Sequence, residues 1–185
     1  AHEWEAQGMV EALAPWLEAG KLKLYCPESN VAEAWTKKEN DAAWRIQRHV
    51  LYEKWVVETL VPHIRQDCNS PAAPMMTAGA SLGAYYAANI ALKYPEIFRW
   101  ALCMSGRYAI NAATHFPDRV KAAASVYGTH LATDQPDSPH LAGQKTKAEL
   151  YFACAETDIY APQEIIDKVA AGVKGANDEV EVYPG

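Results

Sequence analysis

The run Met75-Met76-Thr77-Ala78-Gly79-Ala80-Ser81-Leu82-Gly83-Ala84-Tyr85-Tyr86 constrains this chain more than any other stretch. An apolar segment leads into Gly-Ala-Ser-Leu-Gly, and helix-forming residues follow. This is G-x-S-x-G in the strand, sharp turn and helix context that gives the motif meaning. Such a turn holds the serine in a strained backbone conformation, with its hydroxyl raised at the carboxyl end of the strand. Gly79 and Gly83 read as positions where side chains would collide with the neighbouring strand and helix. The N–H of Leu82 falls at the helix N-terminus, where a donor can hold an oxyanion. The plainer reading is a glycine-bounded turn carrying an ordinary serine. The flanking pattern favours a nucleophile at Ser81.

Composition narrows what surrounds this turn. A length of 185 residues makes one domain the default, and 50% hydrophobic residues suffice for a sizeable core. A net charge of -6 argues against nucleic acid or an anionic membrane surface as the main partner. No apolar run is long enough to span a bilayer, and no signal-peptide pattern opens the sequence. Cys26, Cys68, Cys103 and Cys154 are scattered, without C-x-x-C or zinc spacing. Three of them sit in apolar or strand-like surroundings, which points to buried free thiols and a reducing, cytoplasmic setting. No G-x-G-x-x-G, Walker loop or metal-spaced histidine–acid cluster is present, so no cofactor is expected.

In chain order, Glu3 to Leu17 reads as a helix with Val10, Leu13, Ala14 and Leu17 on one face, stopped by Gly20. The alternation Lys21 to Cys26 predicts a strand, and Pro27 to Asn40 a polar loop around Trp35. Asn40 or Asp41 can cap a long helix from Ala42 to beyond Leu60, which Pro62 ends or kinks. The nucleophile strand follows at Ala73 to Ala78, then a helix at Leu82 to Tyr94 and a buried strand at Phe98 to Met104. Thr129 to Gln144 is a polar loop able to line a pocket. Ala148 to Cys154 is a strand, Gln163 to Lys174 a helix, and Glu179 to Tyr183 a last strand. Strands alternating with helices predict an α/β fold with a mainly parallel sheet and helices on both faces.

One pattern stands apart. Tyr94-Pro95-Glu96-Ile97-Phe98-Arg99-Trp100-Ala101 is echoed by Phe116-Pro117-Asp118-Arg119-Val120-Lys121-Ala122-Ala123, at an offset of 22 residues that also relates Gly106 to Gly128. Two successive β-units that look alike is one reading. A single structural element present twice, as if related chains were joined with overlap, is the other. The short interval between Gly106 and Pro117 favours the second, since a parallel crossover takes a dozen or more residues.

Acyl transfer by serine needs a base for the serine proton, an acid that orients and charge-balances the base, and N–H donors for the oxyanion. Asp158 is the best acid. It follows a buried strand, downstream of Ser81, in Glu156-Thr157-Asp158-Ile159-Tyr160-Ala161-Pro162. Its plainer role is a turn cap before Pro162, and Glu156 is the fallback. The histidines are His2, His49, His63, His115, His130 and His140. None follows Asp158, so His130 or His140 takes the base role only through an unusual loop placement. His49 and His63 read as surface or packing residues.

Two family resemblances cover different parts of the chain. From Glu3 to Ile110 it resembles a bacterial esterase family of the α/β-hydrolase superfamily. The carrying residues are Trp4-Glu5-Ala6-Gln7-Gly8-Met9, the segment Tyr25-Cys26 to Trp35, Arg48-His49 with Tyr52-Glu53, and Ala78-Gly79-Ala80-Ser81-Leu82-Gly83-Ala84-Tyr85. This resemblance implies Ser81 as nucleophile and the Leu82 N–H as oxyanion donor. From Phe116 to Gly185 it resembles the carboxyl-terminal half of a dienelactone hydrolase. Here the carriers are Phe116-Pro117-Asp118-Arg119-Val120, Val126-Tyr127-Gly128, Ala155-Glu156-Thr157-Asp158 with Pro162, and Val182-Tyr183-Pro184-Gly185. This second resemblance implies Asp158 as the triad acid, and a catalytic histidine soon after Tyr-Pro-Gly, past the last residue here. Dienelactone hydrolase itself uses a cysteine nucleophile, whereas this chain offers Ser81.

The expectation is therefore an α/β-hydrolase-like domain. Residues 1–110 form a nucleophile half and residues 111–185 an acid half, with the opening strands and final histidine loop outside the sequence. The expected activity is hydrolysis of a small-molecule carboxylic ester through a Ser81 acyl-enzyme. The rival readings are an inactive chimera of hydrolase fragments, and a chain that needs a second copy or a complementing chain to complete its sheet and triad.

Overall fold

The structure is a computed structural model that describes residues 5–6, 8–103, 106–173 and 178–184. The chain divides into two compact units, Ala1–Val61 and Pro62–Gly185.

The first unit is helical. Helix α1 (Met9–Glu18) starts after Gly8 and ends before Gly20, both in the left-handed region at φ 72° and 66°. The expected start at Glu3 lies outside the described residues. Lys21 to Cys26 forms no strand. Alternation alone does not hold a strand whose N–H and C=O groups find no ladder, and Cys26 is exposed as a result. The expected loop contains a π-helical turn, Ala32–Thr36. Of the two cap candidates, Asp41 does the work: its carboxylate accepts the Trp44 N–H at 2.9 Å, opening α2 (Ala42–Trp55). His49 is buried with its ring edge-on to Trp35 at 5.6 Å, the packing role its place on a helix implied.

Pro62 does not end the helical run. A π turn (Val56–Leu60) precedes it, closed by the Val61 N–H on Val56 O, and α3 (Val61–Asp67) carries Pro62 at its second position. The widened turn before it makes room for the ring.

The second unit is the α/β part. Strand β1 (Met75–Gly79) runs parallel to β2 (Phe98–Cys103), in register from Met75↔Phe98 to Gly79↔Cys103 with one irregularity at Met75/Met76. Helix α4 (Leu82–Lys93) connects them and packs on both strands. Its buried Ala84, Ala87 and Ile90 recur at helical spacing, and Thr77 Oγ1 donates to Ala87 O at 2.9 Å. Helix α5 (Arg107–His115) leads to β3 (Ala122–Val126), which pairs in parallel with β4 (Glu149–Ala155), itself parallel to β5 (Glu179–Tyr183). Helix α6 (Pro139–Ala142) and a 3-10 turn (Gly143–Lys145) occupy the expected loop, and α7 (Gln163–Gly172) joins β4 to β5. Among the described residues every ladder is parallel, with order β1-β2 in one sheet and β3-β4-β5 in the other.

The two copies of the repeated pattern form β2 and β3, with helix α5 between them. The strands they form lie in different sheets, β2 beside β1 and β3 beside β4. The core of this unit lies on one face of β3-β4-β5. Leu150, Phe152 and Cys154 alternate inward from β4 to meet Ile110 and Ala113 of α5 and Ile166 and Val169 of α7. Full burial of Phe152 alone contributes up to about 3 kcal/mol. Of the cysteines, Cys154 is buried, Cys68 half-buried and Cys26 exposed. The expected burial therefore holds for Cys154 and fails for Cys26, while the Cys103 side chain lies outside the described part.

Candidate active site

Ser81 follows β1 by two residues, with φ 53° and ψ −123°, a region that L-residues rarely enter. Holding a non-glycine residue there costs about 1–3 kcal/mol, and such strain collects at functional turns. The turn is tight because its two glycine-bearing limbs touch. A Cβ on Gly79 would lie 2.2 Å from the Gly83 carbonyl oxygen, 2.3 Å from its carbon and 2.7 Å from Ala84 N. A Cβ on Gly83 would meet nothing within 4 Å. The expected collision is thus real at Gly79 and absent at Gly83: the Gly83 backbone fills the space that a Gly79 side chain would need.

Ser81 is exposed and lines a cleft of about 280 Å³ together with Leu82, Arg107, Tyr108, Thr129 and His130. These six come in pairs from the segments after β1, β2 and β3, so the cleft sits where three strands deliver their carboxyl ends. At the first turn of α4 the N–H groups of Gly83 and Ala84 already bond Ala80 O at 2.9 Å and Ser81 O at 3.0 Å. Leu82, between them and the serine, faces the cleft.

The repeated glycines bring the second and third pairs together. A Cβ on either Gly106 or Gly128 would lie 2.2 Å from Ser125 Oγ, and each glycine stands against the other's Cα at about 3 Å from that Cβ position. Gly106 also caps α5 at φ 45°. Two residues without side chains therefore let the β2 and β3 ends close, placing Arg107-Tyr108 beside Thr129-His130. Arg107 is anchored by Asp137 at 3.1 Å, and Tyr108 stands edge-on to Tyr85 with ring centres 6.3 Å apart. His130 has φ 56°, and its Nδ1 lies 3.2 Å from Thr129 Oγ1.

Asp158 lies past the carboxyl end of β4, half-buried, with Oδ1 accepting the Tyr160 N–H at 2.7 Å. It caps its own turn and does not line the cleft described above. The Cys154 thiol is pushed up, first by burial and then by the Asp158 charge. Glu156 is exposed. His140 is held structurally: its Nδ1 lies 2.8 Å from Ser138 Oγ, a buried hydroxyl that also accepts the Thr133 N–H at 2.8 Å. His63 and His115 are exposed on helices. Among the described residues no group of three or more His, Cys, Asp or Glu side chains is placed to hold a metal ion, and no helix is long and apolar enough to cross a membrane. Sequence reasoning passed over Arg107 and Tyr108. The available signal was positional, because they follow β2 as Ser81 and Leu82 follow β1.

Parallel strands linked by helices, with a strained serine at the first strand end, define an α/β-hydrolase-like fold. Residues 84–185 match the dienelactone hydrolase family, and the chain belongs to that family, a branch of the α/β-hydrolase superfamily. The match spans the interval 110–116 between the two repeated units. A solved structure described as a dienelactone hydrolase from Klebsiella pneumoniae subsp. pneumoniae is 22% identical, with a TM-score of 0.42 over 54% of this chain. The chain spans 45% of that protein's length. No curated protein matches the chain significantly.

Proposed function

We propose that the chain hydrolyses a small carboxylic ester through an acyl-enzyme on Ser81. The supporting observation is the backbone of Ser81: a serine held at φ 53° directly before a helix, and exposed to a cleft, fits a nucleophile better than a structural hydroxyl. Ser81 Oγ attacks the ester carbonyl, and the developing oxyanion is steadied by the Leu82 N–H at the start of α4. Asp158, which caps the turn after β4 and lies outside the lining of this cleft, is the acid of this reading on the strength of its strand-end position and its place downstream of the serine. The volume of about 280 Å³ suits a small substrate.

Turnover of a small activated ester tests this reading. It should fall to background in Ser81→Ala while the fold is kept. Equal turnover in the variant would remove Ser81 from the chemistry.

A further inference from the structure

We propose that the cleft at Ser81 selects esters carrying an aromatic ring close to the ester group, and that Tyr108 is the residue that selects them. The proposal rests on the reading of Ser81 as nucleophile and names the class of substrate that this site takes. Ser81 and Leu82 stand at the start of α4, and Arg107 and Tyr108 at the start of α5, so two helix starts contribute to one lining. That lining is uneven in chemistry. Leu82 and the Tyr108 ring are apolar, while Arg107, Thr129 and His130 are polar. A small site of this kind takes its orientation from the polar groups and most of its contact area from the apolar ones.

Tyr108 is 45% exposed. A single exposed aromatic on open surface is ordinary, but this one lines the same cleft as a strained serine. It is also held from behind. Its ring meets Tyr85 edge-on, with centres 6.3 Å apart and planes at 62°. Tyr85 in turn meets Tyr86 at 6.2 Å and 67°, and Tyr86 is one of the buried residues of α4. Tyr85 lies three residues after Leu82, on the same side of the helix. The three rings therefore run from the buried side of α4 to the cleft wall, in the edge-on arrangement that ring quadrupoles favour. A ring braced in this way gives up little freedom when a ligand packs on it. An aromatic ligand gains the quadrupole contact, and a saturated ring of similar size does not. Arg107, the neighbouring cation, already holds Asp137 at 3.1 Å, so its charge is matched within the fold.

The test is equilibrium binding to Ser81→Ala, in which turnover plays no part. Two matched pairs of esters are titrated and followed by ligand NMR. Methyl phenylacetate against methyl cyclohexylacetate places the ring on the acyl side. Benzyl acetate against cyclohexylmethyl acetate places it on the alcohol side. Cyclohexyl offers more apolar surface than phenyl, so burial by itself favours the saturated member. A preference for phenyl isolates the ring contact. The expected result is a Kd about two- to tenfold lower for the aromatic member of at least one pair. Tyr108→Phe should keep that ratio, and Tyr108→Leu should bring it to unity or below. Equal or weaker binding of both aromatic members overturns the proposal, as does a ratio that survives Tyr108→Leu. Fluorophosphonate labelling of the unaltered chain separates this failure from failure of the reading beneath it. Labelled Ser81 without a ring preference keeps the nucleophile and overturns the substrate class. A ring preference without labelling overturns the Ser81 reading while the ring contact stands.

Discussion

Gly79 and Gly83 occupy equivalent places in the motif, yet the structure sets opposite consequences for them. Replacing Gly79 with alanine puts a methyl 2.2 Å from a backbone oxygen and 2.3 Å from a backbone carbon of Gly83. Normal contact begins near 3.4 Å, so the turn must open by more than 1 Å, and no flexible side chain can yield. Overpacking against a fixed backbone costs about 3 kcal/mol. That is roughly a 150-fold change in the folding equilibrium, and with a urea slope of about 2 kcal/mol/M the midpoint falls by about 1.5 M. Gly83→Ala meets open space inside a helix, where alanine is favoured over glycine by about 0.5–1 kcal/mol. Its midpoint should stay level or rise. Urea titration followed by tryptophan fluorescence measures both, and a constant slope identifies the change as one of stability. Equal losses in the two variants, or a Gly79→Ala protein as stable as the parent, would refute the turn geometry.

Other consequences follow from named contacts. Ser81→Gly should raise stability by about 1 kcal/mol, because glycine relieves the φ 53° strain, while abolishing probe labelling; thermal melting and labelling together check it. Ser125 is 1% exposed and its hydroxyl finds no partner among the described residues, so Ser125→Ala should be neutral or stabilising in melting experiments. Glu181 is held below the usual carboxylate range, first by the Tyr151 hydroxyl at 2.6 Å and then by Tyr183. A lowered folded-state value contributes stability above the unfolded value and loses it as pH falls through the folded one. Glu181→Gln should thus flatten the decline in melting temperature on the acid side of pH 4.5, and an unchanged acid limb would contradict the contact. The same hydrogen bond, with Tyr183 second, drives the Tyr151 phenol well above its ordinary range. Its contribution is full below pH 10 and fades only as pH rises through the folded-state value.

The elements legible in the sequence were those whose signal is local. The apolar run at β4, the apolar face of α7 and the glycine-bounded turn at Ser81 each carry a strong signal within a short stretch, and the alternation at β5 counts because β4 pairs with it. Lys21 to Cys26 misled for the complementary reason: a strand needs a partner, and alternation does not supply one. Pro62 leaves the helical run unended because the helix widens before it, as the π turn at Val56–Leu60 does. Helix α5 was hidden by counting from glycine to proline, although Ile110 and Ala113 are fully buried on one of its faces. At the site, Ser81 and the cleft-lining start of the Thr129 loop were legible, whereas Arg107 and Tyr108 were not. Their nearness to Ser81 follows from the parallel pairing of β1 with β2 up to Gly79↔Cys103, and their place beside Thr129-His130 from Gly106 meeting Gly128, contacts that no single segment announces by itself.

The central claim is that the strained residue at the end of β1 is the reacting group. Treating the chain with a fluorophosphonate probe and mapping the adduct by peptide mass spectrometry tests it most directly. The account predicts a single adduct on the peptide carrying Ser81, lost in Ser81→Ala. An adduct on another residue, or none on the folded chain, would contradict it.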